Sequence, residues 1–138
     1  MTKPAGYSGT PLIKKLGIKP GFTVTTLNAP SHYWNLLGPL PDGVRNIALT
    51  DGPLDVVHLF VTQRADLVTQ LEEAKPQVKQ NGMVWVSWPK KASKVPTDVT
   101  EDVVREVALA AGLVDVKVCA VDEVWSGLKL VRRLKDRT

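Results

Sequence analysis

The sequence predicts an α/β fold, a Rossmann-like three-layer domain with a mostly parallel sheet and an antiparallel C-terminal strand. Strand-like segments alternate with segments of helical spacing over most of the chain, an order typical of parallel strands joined by crossovers. Residues 56–61 are almost all apolar, as in a central strand covered on both faces. The last two strand-like segments have no helix between them, which predicts an antiparallel pair.

Each element of this fold follows from apolar spacing and turn residues. Thr10 before Pro11, and later Thr100, are typical helix N-caps, and Ser31 can cap a short helix. Pro76 must kink or restart the helix that contains it. The predicted helices cover residues 10–17, 33–37, 65–80 and 100–112, and the predicted strands cover residues 22–27, 46–50, 56–61, 83–88, 114–121 and 124–134.

Length and composition favour one folded domain over residues 1–138. The chain is 43% hydrophobic and 23% charged, close to the averages for globular proteins. The single cysteine, Cys119, excludes an intrachain disulfide and a cysteine cluster for zinc. No apolar run approaches the roughly 20 residues of a membrane span, and the first ten residues lack the core of a signal peptide. We therefore expect a cytoplasmic protein with no membrane association.

The net charge of +4 favours anionic partners if the excess lies on one face. Basic residues occur near residues 14–19, 90–94 and 132–137, and acidic residues lie between these groups. A mixed, solvated surface is therefore expected, and nucleic acid is not the expected partner.

Ligands of open parallel sheets bind beyond the carboxyl ends of the strands. Here the loops at residues 28–33, 62–64 and 88–93 end three predicted strands. Their amide, hydroxyl and ammonium groups suit a small anionic or nucleotide-like ligand, and a protein partner is the other expectation. Alternatively, the polar side chains make turns and caps and the lysines are solvated. The predicted ligand-binding residues are Asn28, Ser31, His32, Tyr33, Arg64, Trp88, Lys90, Lys91 and Ser93.

The histidines and the cysteine are open to two interpretations each. His32 is a candidate general base, although no nearby Asp or Glu in the sequence can orient it. His58 lies within an apolar strand, which favours a hydrogen-bonded core residue, and Cys119 is most simply a small buried side chain. Two histidines that are far apart in the sequence make only a weak case for a metal site. We expect no metal ion and no bound cofactor.

Two tryptophans belong to the predicted strand at residues 83–88. Trp85 and Trp88 are expected to share one face and pack against a helix. Trp88, at the strand end, can alternatively stack on a ligand ring.

The half of the chain after Asp55 resembles the C-terminal half of class I S-adenosylmethionine-dependent methyltransferases. The matching parts are two apolar strands, the Gly82 turn, Ala111-Gly112-Leu113 and the closing strand pair. That resemblance implies a glycine-rich turn after the first strand and an acidic residue after the second. Here residues 27–30 read Leu-Asn-Ala-Pro, and Asp51 stands at the acidic position beside turn residues.

Nearly the whole chain also resembles a family of small bacterial proteins catalogued only as a domain of unknown function. The residues that carry this resemblance are 16–21, Asn28-Ala29-Pro30, 88–93 and 122–127. Together, the two resemblances favour a methyltransferase-like domain that binds a ligand or partner without catalysis. The alternative is a small methyltransferase with an altered cofactor turn.

Overall fold

The computed structural model describes residues 11–138. Thr10, the expected first N-cap, lies outside them. The helices are α1 (Leu12–Leu16), α2 (Tyr33–Leu37), α3 (Arg64–Ala74) and α4 (Glu101–Ala110), and the strands are β1 (Thr23–Leu27), β2 (Arg45–Asn46), β3 (Leu54–Phe60), β4 (Val78–Pro89), β5 (Leu113–Ala120) and β6 (Trp125–Arg132).

The six strands form one sheet in the order β2-β1-β3-β4-β6-β5. Strands β1 to β4 are parallel to one another, whereas β6 is antiparallel to both β4 and β5. Strand β3 is central, and all seven of its residues are buried. The predicted fold class, including the antiparallel C-terminal strand, is confirmed.

Helices cover the sheet on both faces and give it two apolar cores. Leu71 of α3 and Val104 of α4 belong to the first core. Leu16 of α1 and Tyr33 of α2 pack with Trp85 in the second. The domain therefore has the three layers that the alternating sequence predicts. None of the helices within residues 11–138 is long and apolar enough to cross a membrane.

The amino-terminal elements lie close to their predicted positions. Gly17 ends α1 in the left-handed conformation, with φ 76°, which glycine adopts without steric cost. Ser31 does not cap α2, because the N-cap position is His32 and no side chain bonds there. Strand β2 is shorter than expected but does pair with β1 at the sheet edge. Asp51 ends a 3-10 turn and is exposed.

The boundary between α3 and β4 differs from the prediction. Helix α3 ends at Ala74, and Pro76 lies in a 3-10 turn before β4 begins at Val78. The expected helix end at Asn81 and Gly82 is therefore wrong. Proline lacks the N–H that a continuing helix would need, so the chain leaves the helix earlier.

The elements after β4 follow the sequence closely. Thr100 caps α4, and its hydroxyl accepts a hydrogen bond from the Val103 N–H. The predicted hairpin of β5 and β6 is present. One irregularity in β5 was not predicted: the register passes from Asp115 to Lys117 while β6 advances by one residue, so Val116 is an added bulge residue.

Gly82 lies where an irregular stretch of β4 returns to regular pairing with β3. Between the pairs Leu54–Val78 and Val56–Met83, β4 has extra residues. A Cβ atom at Gly82 would lie 2.6 Å from Val78 Cγ1 and 3.0 Å from the Asp55 carbonyl oxygen. Only glycine lets the two backbones approach this closely.

We expect Gly82→Ala to lower the free energy of unfolding by about 2 kcal/mol, because the added methyl group meets atoms that cannot easily move. Denaturant unfolding at equilibrium measures the change. Asn81→Ala is the matched control, since Asn81 is exposed and should change stability by less than about 0.5 kcal/mol. Equal stability of Gly82→Ala and the unmodified protein would contradict the close approach.

Candidate ligand-binding rim

The strand order reverses at the carboxyl ends of β1 and β3. From β1 the chain proceeds to β2 on one side and then crosses to β3 on the other. Loops that leave adjacent strands in opposite directions open a crevice, which is where ligands bind in open α/β sheets. The rim is defined here as residues 28–33, 62–64, 88–93 and Asp122.

The turn after β1 carries side chains where the methyltransferase resemblance implies glycines. Asn28 has φ 61°, in the left-handed region, which asparagine tolerates better than most residues. Ala29 follows with a Cβ atom, and Pro30 has no N–H to donate. Asp51 lies on an exposed turn. These residues do not fit the close backbone approach that an S-adenosyl cofactor needs at a glycine turn.

His32 forms a pair with an acidic residue that is distant in the sequence. Its Nε2 lies 3.0 Å from a carboxylate oxygen of Asp122, 90 residues later in the chain. The His32 side chain is 50% exposed and that of Asp122 is 14% exposed. The neighbour that the sequence did not reveal is therefore supplied by the loop between β5 and β6.

Asp122 is held rigidly by its own loop. Its other carboxylate oxygen accepts hydrogen bonds from the N–H groups of Val124 at 2.8 Å and Trp125 at 2.7 Å. Burial raises the pKa of the Asp122 carboxyl, but the bonds from Trp125, His32 and Val124 outweigh it and bring the pKa below its ordinary value. Asp122 is therefore a fixed anion that orients the His32 ring.

Lys90 joins this group from the end of β4. Its Nζ donates to the backbone carbonyl of Asp122 at 2.7 Å, and its N–H donates to the Val124 carbonyl at 2.7 Å. Since a carbonyl carries no net charge, the Lys90 ammonium still contributes positive charge to the rim. Two predicted residues, His32 and Lys90, thus both contact Asp122 in the loop between β5 and β6.

Asp98 contacts the part of the rim formed by residues 62–64. Its carboxylate accepts a hydrogen bond from the Arg64 N–H at the start of α3, at 2.6 Å. Thr97 Oγ1 donates to the Thr62 carbonyl at 2.7 Å. The Arg64 guanidinium turns to Glu106 of α4, at 2.9 Å. The Asp98 carboxylate therefore occupies the N-terminal end of α3. The Arg64 side chain pairs with Glu106 and does not join His32.

The other predicted rim residues have separate surroundings. Lys91 is exposed, and Ser93 Oγ donates to the Lys90 carbonyl at 2.6 Å. Trp88 is buried in the core beneath α3 and α4, whereas Trp85 lies in the core beneath α1 and α2. The expectation that the two tryptophans share a face is wrong, because residues three apart in a strand point to opposite faces.

Tyr33 belongs to a buried network beneath the rim. Its hydroxyl lies 2.8 Å from His58 Nδ1, and His58 Nε2 lies 2.7 Å from Ser87 Oγ. Phe60 stacks on the imidazole, with ring centroids 4.3 Å apart. His58 is fully buried, and this burial lowers its pKa to about 3. The prediction of a hydrogen-bonded core histidine is confirmed.

A second concavity lies between α3 and α4, away from His32. It encloses about 400 Å³ and is lined by apolar side chains that include Val68 and Val107. Its lining also includes the Arg64–Glu106 pair and Lys75, whose Nζ donates to the Ala111 carbonyl. Within residues 11–138, no group of three His, Cys, Asp or Glu side chains could hold a metal ion.

Comparisons with solved structures place this fold among methyltransferases. A methyltransferase from Aquifex aeolicus, described as SAM dependent, is 18% identical over 86% of each chain, with TM-score 0.63. Aeropyrum pernix fibrillarin, solved with natively bound S-adenosyl-L-methionine, is 13% identical, with coverage of 88% of this chain and 72% of that one and TM-score 0.58. At such identities the likeness shows the fold alone.

A Synechocystis structure extends this likeness. The magnesium protoporphyrin IX methyltransferase of Synechocystis PCC 6803, with bound SAM, is 9% identical over 88% of this chain and 74% of its own, with TM-score 0.58. No curated protein matches the chain. A family model described as a protein of unknown function matches residues 48–134.

Proposed function

The chain belongs to the DUF3052 family, and we propose that it binds a small anionic or nucleotide-like ligand at the rim without catalysing a reaction. The observation that carries this proposal is the group formed by His32, Asp122 and Lys90. It presents an oriented imidazole and an ammonium group at the carboxyl ends of parallel strands, where such folds bind ligands.

Among the described residues, 11–138, Nδ1 of the His32 ring has no hydrogen-bond partner, so this nitrogen can face a ligand. The ionised Asp122 carboxylate can only accept a hydrogen bond, so the His32 Nε2 must carry the proton and donate it in this bond. In the neutral ring, Nδ1 is then an acceptor for a hydroxyl group such as that of a sugar. In the protonated ring it is a donor for a phosphate or carboxylate. The half-exposed side chain and the nearby Lys90 ammonium support an anionic ligand.

The turn after β1 supports binding without methyl transfer. Asn28 and Ala29 carry side chains, and Pro30 lacks a donor, so the turn offers no cradle of the glycine type. Ser31 is exposed beside His32 and adds a hydroxyl group to the open part of the rim. A protein segment that carries a carboxylate or phosphate group could bind to His32 and Lys90 in the same way.

A small methyltransferase with an altered cofactor turn is the second candidate. Two observations favour it: the fold is that of the S-adenosylmethionine-bound structures named above, and His32 has the carboxylate partner that a general base needs. In that case the His32 Nδ1 would accept a proton from the group to be methylated.

A thermal-shift screen tests both candidates. The purified chain is heated with S-adenosylmethionine, its demethylated product, common nucleotides, phosphate or sulfate. A ligand at a hundredfold its dissociation constant adds about 2.7 kcal/mol and raises the melting midpoint by roughly 10 °C. We expect this rise with a nucleotide or simple anion. A rise confined to the S-adenosyl compounds would instead select the methyltransferase.

Variants assign the shift to the rim. His32→Gln and Lys90→Gln should each reduce the shift by more than half, because each removes a group that faces the ligand. Lys135→Gln is the control for lost charge, since Lys135 is exposed on the carboxyl-terminal turn. A shift that survives both rim variants, or no shift with any compound, would overturn the proposal.

A further inference from the structure

Two lysines lie directly opposite each other on the outer part of the sheet. Lys117 of β5 pairs in register with Lys129 of β6, and Lys129 pairs with Trp85 of β4. Paired residues in antiparallel strands point to the same face. Trp85 belongs to the core beneath α1 and α2, so both lysines are on that face of the sheet.

The bulge at Val116 creates this arrangement. Before it, Asp115 bonds to Arg105 of α4 on the opposite face, at 3.0 Å. After it, Lys117 Nζ donates to the Lys15 carbonyl of α1, at 3.2 Å. In a regular strand, residues 115 and 117 would share a face. The added residue thus moves the acidic side chain away and turns Lys117 towards Lys129.

Lys19 adds a third positive charge near this pair, because Lys117 contacts the Lys15 carbonyl of α1 and Lys19 follows the end of α1 by three residues. The pKa of Lys129 is lowered by its burial and then by the positive charges of Lys117 and Lys19. Among residues 11–138, none of these three lysines forms an ion pair with a carboxylate. We define Lys19, Lys117 and Lys129 as the basic face.

The positive charges of the basic face oppose folding. Like charges directly opposite on neighbouring strands are unfavourable, and the charges of Lys117 and Lys19 add to the larger effect of burial in lowering the pKa of Lys129. An arrangement that weakens the folded state while concentrating positive charge is explained by an anionic partner that neutralises it.

We propose that the basic face binds the phosphate backbone of nucleic acid. The three ammonium groups come from the loop after α1 and from two strands, so they spread over an open surface. Such a surface suits a chain of regularly spaced single charges better than one enclosed anion. Trp85, the aromatic residue that pairs with Lys129, is fully buried and cannot stack on bases, so binding should depend on phosphates rather than on base sequence.

Fluorescence anisotropy with a labelled single-stranded RNA of about 20 nucleotides tests this, with the matching DNA strand in parallel. Three neutralised phosphates predict a slope of about −2 for log K against log salt, which is roughly a 20-fold loss of affinity between 50 and 200 mM KCl. Lys117→Gln with Lys129→Gln should weaken binding by about tenfold and reduce the slope to about −0.7. Its melting midpoint should change by only a few degrees, because the relief of the repulsion offsets the loss of the Lys117 bond to the Lys15 carbonyl.

The control is Lys94→Gln with Lys135→Gln, which removes the same charge from two exposed lysines outside both sites. It should bind nearly as the unmodified chain does. Equal losses in both double variants would overturn the proposal, since net charge alone would then explain binding.

Retention on vesicles rich in anionic lipid without RNA or DNA binding would also overturn it, as would competition by pyrophosphate at equal concentration of phosphate groups. The Lys90 variant should leave RNA binding unchanged, which separates this site from the rim.

Discussion

We expect the free energy of unfolding to fall by about 1.4 kcal/mol for each pH unit below the ordinary histidine pKa of 6.5, down to about 3. His58 is the cause. Its imidazole is fully buried between Tyr33 and Ser87, which can share hydrogen bonds with it but carry no charge to balance a proton.

The sign follows from the direction of the shift. Burial lowers the folded-state pKa of His58 below the unfolded value. Between pH 6.5 and about 3, the unfolded chain therefore binds a proton at His58 and the native state does not. Acid therefore favours unfolding, and the full stability returns above pH 6.5. Asp122 acts in a lower window that overlaps only the acid end of this one: its lowered pKa adds stability that is lost as pH falls below its ordinary value of 3.8.

The two histidines provide a matched pair of variants for this measurement. His58→Gln removes the titrating group and should flatten the pH dependence, although it costs stability at neutral pH. His32→Gln alters the half-exposed histidine and should keep the slope. Denaturant unfolding over a pH series measures both. The same slope in His58→Gln as in the unmodified protein would refute the assignment.

Arg132→Ala should lower the free energy of unfolding by about 3 to 4 kcal/mol. The Arg132 guanidinium donates to the carbonyls of Lys75 at 2.6 Å, Val78 at 3.1 Å and Lys79 at 2.9 Å. It thus ties the end of β6 to the turn between α3 and β4. Removing it leaves carbonyl groups without partners, each at a cost of about 1 kcal/mol or more.

The neighbouring arginine is the control. Arg133 has no side-chain bond within residues 11–138, so Arg133→Ala should change stability by less than about 0.5 kcal/mol. Arg132→Lys should recover only part of the loss, because one ammonium group cannot reach three carbonyls in the geometry of the planar fork. Equal stability of the two alanine variants would show that the three carbonyl bonds contribute nothing.

Local pattern was sufficient for most of the architecture. Some features depend only on neighbours within a few positions, so the sequence predicts them. Examples are the apolar run of β3, the cap at Thr100 and the glycine after α1. The error at the end of α3 has the same local origin. Pro76 is compatible with a kinked helix, with a second helix or with the end of the helix, and local pattern does not distinguish these. In the structure the helix ends and a strand follows.

Local patterns in the chain predict the order of strands and helices, the central place of β3 and the burial of His58. Which side chains meet depends on how distant segments pack together. His32 finds Asp122 because two loops end at one sheet edge, and Lys117 faces Lys129 because one bulge residue reverses the alternation of β5. Periodicity reports which face a residue occupies, whereas contacts between distant segments depend on register, and one inserted residue changes it.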